Sequence, residues 1–207
     1  RSFHVTGVQT CALPIFIFWF KRKRNSTAKN QILKKNKVLV CSHITSVDSP
    51  QRSKAENNLR NIALLLDNNV DMIEMDVQIT KDGVPVLFHD GSLDQKTNSS
   101  GTIQSKTWGE ISNIRYKADN NQGITKLEDA LSLLKKSGRK TIFQLDKCDA
   151  SEIAKINSLG LFKGLENQIL AKATSFKKSD AVANAGIMYM PIIPSDYVGR
   201  MNTDAVI

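Results

Sequence analysis

A chain of 207 residues that is 41% apolar and 24% charged, with 11 Gly, 5 Pro and 3 Cys, has the make-up of an ordinary globular protein. That excludes disordered, collagen-like and disulfide-framework classes. The net charge of +9 invites a nucleic-acid or membrane-surface reading, but Arg1 and the basic residues between Phe16 and Lys37 account for all of it. From Val38 onward basic and acidic residues balance, so no basic face for nucleic acid is expected.

The head of the chain stands apart. Residues Val5 to Ile15 resemble the translation of a common sequencing-adapter oligonucleotide, and residues 1–15 are set aside from fold reasoning as tags and scars are. Phe16-Ile17-Phe18-Trp19-Phe20 followed by Lys21-Arg22-Lys23-Arg24 has two readings of equal weight. One is the tail of a truncated membrane span with its positive flank; the other is adapter-proximal sequence leading into a solvated basic linker, Asn25 to Lys37. The run is far short of the ~20 apolar residues of a span, and its order of apolar run and charge is the reverse of a secretory signal. The expected organisation is 1–37 as scar plus basic linker and 38–207 as one α/β unit. Cys41 and Cys148 are too few to fix a redox compartment.

From Val38 the pattern is regular. Val38 to Ser42 is a short apolar run, Leu59 to Leu66 a helical patch ending at Asp67-Asn68-Asn69, and Met72 to Val77 a second strand. Val84 to Phe88 makes a third strand after the turn Lys81-Asp82-Gly83. Leu127 to Lys136 is helical, with Leu127, Leu131 and Leu134 on one face, and Thr141 to Leu145 is extended. A helix near Ser151 to Leu159, a strand at Gln168 to Ala171, a helix near Ser175 to Asn184 and a strand at Ile187 to Ile193 complete the alternation. Strands separated by helices of this length predict parallel pairing through right-handed crossovers.

Polar residues interrupt these strands at one end. Ser42-His43 follows the first apolar run, Glu74 and Asp76 lie two apart in the second, His89-Asp90 ends the third and Asp146-Lys147 the fourth. Residues i and i+2 of a strand share a face, so Glu74 and Asp76 point one way and Ile73, Met75 and Val77 the other. Two carboxylates on one face repel and lose hydration unless a cation neutralises them, which a divalent metal does economically. Taken alone, such a pair is more often an exposed strand-end acid. Four strands that all end in His, Asp, Glu or Lys point instead to a site, because that edge carries the chemistry in parallel α/β folds.

These residues resemble the glycerophosphodiester phosphodiesterase family. Its pattern of His-Arg-Gly, Pro-Glu-Asn-Thr, Glu-x-Asp-Val, Thr-Lys-Asp-Gly and His-Asp, with a later acid near a Lys, is matched by His43-Ile44-Thr45, Ala55-Glu56-Asn57-Asn58, Glu74-Met75-Asp76-Val77, Thr80-Lys81-Asp82-Gly83, His89-Asp90 and Asp146-Lys147. Coverage runs from about Val38 to about Pro194. The resemblance implies a TIM (β/α)8 barrel, which needs about 250 residues. This chain is therefore expected to hold a partial barrel, truncated after about six strands.

The resemblance further implies a metal-dependent hydrolase that cleaves glycerophosphodiesters, or a related polyol phosphodiester, to an alcohol and glycerol 3-phosphate. It implies His43 and His89 as general acid and base, and Glu74, Asp76 and Asp146 as ligands of one Ca²⁺ or Mg²⁺, ions suited to hard oxygen donors. Lys147, Lys172 and Glu56 are expected around the substrate, Glu56 orienting a neighbouring group, and Asn57 is expected to cap the following helix. The expected partner is a small-molecule phosphodiester and not nucleic acid. Membrane attachment would run through the head segment, and the family favours a periplasmic, secreted or membrane-anchored setting. Ile44 stands where the family has the Arg that grips phosphate, and Thr45 where it has Gly. These departures lie in one loop, Thr45 to Lys54, and are read as altered substrate recognition. A catalytically silent barrel that binds a phosphorylated ligand is the alternative, and a phosphoinositide-specific phospholipase C fits the Thr80 to Asp90 block less well.

Overall fold

The structure is a computed structural model that describes residues 39–47, 49–173 and 176–191. The basic linker, the Phe16 to Phe20 run and the chain beyond Pro191 lie outside the described residues, as does Val38. Among the described residues no helix is long and apolar enough to cross a membrane.

The strands β1 (Cys41–Ser42), β2 (Met72–Ile79), β3 (Pro85–Leu87), β4 (Thr125–Lys126), β5 (Ile142–Asp146), β6 (Ile169–Ala173) and β7 (Met188–Pro191) form one sheet. Five of them, in the order β1-β2-β5-β6-β7, are parallel, an arc of the eight-stranded ring of a (β/α)8 barrel. The helices α1 (Leu59–Asp67), α3 (Leu127–Ser137), α4 (Ala150–Ser158) and α5 (Phe176–Asn184) lie between parallel strands, and a one-turn helix α2 (Trp108–Ile111) lies elsewhere.

The helices form where apolar residues recur at helical spacing and capping groups close their ends. In α1 the buried Ile62, Leu65 and Leu66 share one face, and the Asn58 side chain accepts from the Asn61 amide at 3.0 Å. Asn58 thus takes the capping role expected of Asn57, whose side chain is engaged elsewhere. Helix α3 carries Glu128 and Asp129 in its first turn and Lys135 and Lys136 in its last, which suits the helix dipole. It stops at Gly138, whose φ of +63° costs a residue with a side chain about 1–2 kcal/mol. Asp149 and Glu152 form a reciprocal capping box at the start of α4.

The two faces of each strand then separate. Ile73, Met75 and Val77 of β2, Phe143 and Leu145 of β5 and Ile169 and Ala171 of β6 are buried in the main core with the helices. On the opposite face Met72, Ile142 and Leu170 form a small apolar layer. One step up, Glu74 is level with Gln144, and one further step up Asp76 is level with Asp146. The interior is therefore apolar at its base and acidic at the carboxyl ends of the strands.

Parallel pairing fails at one place. Strand β3 is antiparallel to β2, and β4 to β3. The reason is local: residues 80–84 are too short for a crossover and close a tight turn, in which the Gly83 amide donates to the Thr80 carbonyl at 2.9 Å and the Thr80 amide to the Val84 carbonyl at 3.0 Å. Gly83 has φ +86°, a region glycine occupies without a steric penalty. Strand β2 thus continues past the barrel edge, and β3 returns to the level of Asp76. Beyond it, residues 88–124 build a lobe with its own core of Val86, Phe88, Leu93, Ile103, Ile111, Ile114, Tyr116 and Ile124.

Candidate active site

Five strand ends and one loop converge at the acidic edge. Glu74, Asp76 and Asp146 offer oxygens that all lie within 4.8 Å of one another. Glu74 is 2% and Asp76 1% exposed, so neither carboxylate gains much from solvent. Burial raises the Glu74 pKa above the ordinary carboxyl range; the Ile44 amide opposes the shift and Asp76 adds to it. Three hard oxygen donors, two of them buried, form a donor set suited to a divalent cation. The Lys172 ammonium donates to Asp146 Oδ2 at 2.5 Å, so on this side the charge is already partly offset.

Each acid is held in place. The Ile44 amide donates to Glu74 Oε2 at 2.7 Å. Asn57 grips Asp76 on two sides: its Nδ2 donates to Asp76 Oδ2 at 3.1 Å and its Oδ1 accepts from the Asp76 amide at 3.3 Å. This is why Asn57 does not cap α1.

The two histidines reach the edge by different routes. His43 follows β1 directly, half-exposed, with Nε2 3.9 Å from Glu74 Oε2. His89 arrives on the returning strand β3, and its Nδ1 lies 2.6 Å from Asp90 Oδ1. A carboxylate at Nδ1 selects the tautomer that carries the proton there and leaves Nε2 to exchange one. The turn that carries this pair is pinned by buried Gln78, whose Nε2 donates to the carbonyls of Phe88 at 2.7 Å and Asp90 at 2.9 Å.

The remaining predicted residues sit around this edge. Glu56 pairs with Lys96, at 2.7 Å to each carboxylate oxygen. Lys147 has φ +55° and donates from Nζ to the His89 carbonyl at 2.8 Å. Lys147 and Lys172 are thus engaged with the protein, and because an ammonium has three protons to donate, neither contact bars a ligand. Sequence reasoning missed Lys96, Gln78 and Tyr116. A hairpin signal was present in the short Lys81-Asp82-Gly83 turn and leads to Gln78, but nothing local ties Lys96 to Glu56, forty residues away. A cleft of about 350 Å³ opens beside the site, lined by His43, Ile44, Arg52, Lys54 and Glu56 among others.

Known proteins resemble this chain in sequence and in fold. A family model described as the glycerophosphoryl diester phosphodiesterase family matches residues 45–181. A glycerophosphodiester phosphodiesterase of Bacillus altitudinis is 28% identical over 132 residues, which is 61% of this chain and 50% of that protein. The chain spans half or less of the length of the curated relatives it matches. Among solved structures, a glycerophosphoryl diester phosphodiesterase from Parabacteroides distasonis has a TM-score of 0.60 at 22% identity, covering 80% of this chain and 57% of that one. A phosphodiesterase of Oleispira antarctica, solved in complex with the product sn-glycerol-3-phosphate, has a TM-score of 0.59 at 20% identity, covering 77% and 69%. At these identities the likeness speaks for the barrel fold.

Proposed function

The chain belongs to the glycerophosphoryl diester phosphodiesterase family, and from that premise we propose that it is part of a metal-dependent phosphodiesterase that releases glycerol 3-phosphate from a glycerophosphodiester or a related polyol phosphodiester. The observation that carries the reading is the convergence of Glu74, Asp76 and Asp146 with His43 and His89 at one edge. Glu74, Asp76 and Asp146 would hold a Ca²⁺ or Mg²⁺ ion, which supplies Lewis-acid stabilisation of charge on a phosphoryl oxygen.

The protein's own groups do the rest. Asn57 and the Ile44 amide keep Asp76 and Glu74 aimed into the site, so little reorganisation is needed when a ligand arrives. Asp90 holds His89 by Nδ1, leaving Nε2 to move a proton. His43 works from the other strand end, with Nε2 facing Glu74. One imidazole takes a proton from the attacking hydroxyl or water and the other protonates the departing alkoxide, since imidazole can both accept and donate a proton. The cleft beside Ile44, with Arg52 and Lys54 on its lining, supports the Thr45 to Lys54 loop as the element that selects the alcohol. The two cations there supply positive charge where Ile44 does not.

The test is release of glycerol 3-phosphate from a panel of glycerophosphodiesters with added Mg²⁺ or Ca²⁺, and again with chelator. The expected result is chelator-sensitive release that disappears in Asp76→Ala, with weaker metal binding by calorimetry. A folded, metal-loaded protein that turns over none of the panel overturns the reading and leaves a barrel that only binds its phosphorylated ligand.

A further inference from the structure

Lys96 lies outside every motif that carries the proposed chemistry, yet it sits within the second acidic group at the same edge. Glu56, His89 and Asp90 offer three ligand atoms within 4.8 Å of one another, as do the proposed metal ligands Glu74, Asp76 and Asp146. The Lys96 ammonium fills the first of these places. Nζ is 2.7 Å from both Glu56 oxygens and 3.1 Å from Asp90 Oδ1. An ammonium has three protons to donate, and these three contacts use them all. Ca²⁺ and Mg²⁺ need oxygens at about 2.0–2.6 Å, so an ion and the ammonium cannot share the place.

The same oxygen that meets Lys96 also meets His89. Asp90 Oδ1 is 2.6 Å from His89 Nδ1, and the chain Glu56–Lys96–Asp90–His89 is continuous. It is clamped from behind by Gln78 on the Asp90 carbonyl. A separate feature lies beside Phe88, the neighbour of His89. The Tyr116 hydroxyl is buried in a residue 2% exposed and has no hydrogen-bond partner among the described residues. It lies in the field of Glu56, Asp90 and Asp76. A buried donor of this kind is satisfied by water or by a ligand's oxygen.

We propose that Lys96 is a tethered cation that takes the place of a second divalent ion between Glu56 and Asp90, and that by holding Asp90 it positions His89. The site thereby works with one exchangeable ion in place of two, and the geometry of His89 does not depend on metal supply. The positioning half rests on the phosphodiesterase reading; the cation half stands without it.

The experiment counts Mn²⁺ bound to the 207-residue chain by paramagnetic resonance and equilibrium dialysis. Lys96→Met is expected to hold one more ion than the unaltered chain, the double variant Lys96→Met/Glu56→Gln to give that ion up, and Lys96→Arg to behave as the unaltered chain does. Lys96→Gln, which keeps a polar side chain, guards against a variant that fails to fold. An equal ion count in the unaltered chain and in folded Lys96→Met or Lys96→Gln overturns the cation assignment. If the chain turns over a phosphodiester, Lys96→Met is further expected to lower kcat about tenfold or more, the range of lost supporting contacts, with little change in KM. An unchanged kcat overturns the positioning role. Because the ion difference is read without substrate, failure of the phosphodiesterase reading would leave the cation test intact.

Discussion

Thr45→Gly is expected to stabilise the chain. Thr45 is fully buried, has φ +53° and carries a hydroxyl without a hydrogen-bond partner among the described residues. Its neighbour Ile44 also has φ +53°, so two successive β-branched residues hold a left-handed conformation that such side chains disfavour. Relief of the backbone strain at 45 is worth about 1–2 kcal/mol, and removal of an unsatisfied buried hydroxyl about 1–3 kcal/mol. Against this stand one lost buried methyl, about 0.8 kcal/mol, and the greater freedom of an unfolded glycine, about 0.5–1 kcal/mol. The net is a gain of about 2 kcal/mol, or a Tm higher by about 4–8 °C for a chain of this size. Thermal unfolding followed by circular dichroism reads it. Thr45→Val keeps the branch and drops the hydroxyl, so it should recover only the hydroxyl's share. An unchanged or lower Tm for Thr45→Gly would refute the strain argument.

Gln78→Ala frees the carbonyls of Phe88 and Asp90 and is expected to cost about 1–3 kcal/mol. It should also lower kcat more than stability alone explains, because His89 loses its anchored turn; steady-state kinetics on the folded fraction checks this. Glu74 gives a pH dependence. Its pKa is raised above the ordinary 4.5, so between the two values the native state holds a proton that the unfolded chain has released, and the stability of the metal-free chain falls as pH rises. Metal binding needs the carboxylate, so metal affinity rises with pH over the same window. Melts in chelator should therefore fall through the window while melts in saturating Mg²⁺ stay nearly level, because the metal-bound native state and the unfolded chain have both released the proton; a chelated Tm that climbs through the window would contradict the shift.

Much of this was legible in the sequence because it depends on short periods. The spacing of Glu74 and Asp76 put both acids on one strand face, and the run Leu127 to Lys136 announced a helix observed at Leu127–Ser137, since side-chain direction follows local backbone geometry. The direction of β3 was legible in principle from its short turn, but the regular alternation of strands and helices pointed to parallel pairing. Residues 88–124 showed little periodicity, and their lobe holds together through contacts among short segments.

By itself, then, the sequence determined the main alternation of strands and helices and, through the family resemblance, the barrel class, and it singled out Glu74, Asp76, His43 and His89 near the strand ends, because local spacing and motif carry that information. Only the tertiary structure decided that the chain turns back at Gly83 to bring Phe88 level with Asp76 and His89 to the same edge, that Asn57 serves Asp76 while Asn58 caps the helix, and that Lys96 lies between Glu56 and Asp90. These depend on which distant groups share a low-dielectric space. A buried charge or amide takes whichever partner the fold places within about 3 Å, and separation along the chain carries no record of that choice.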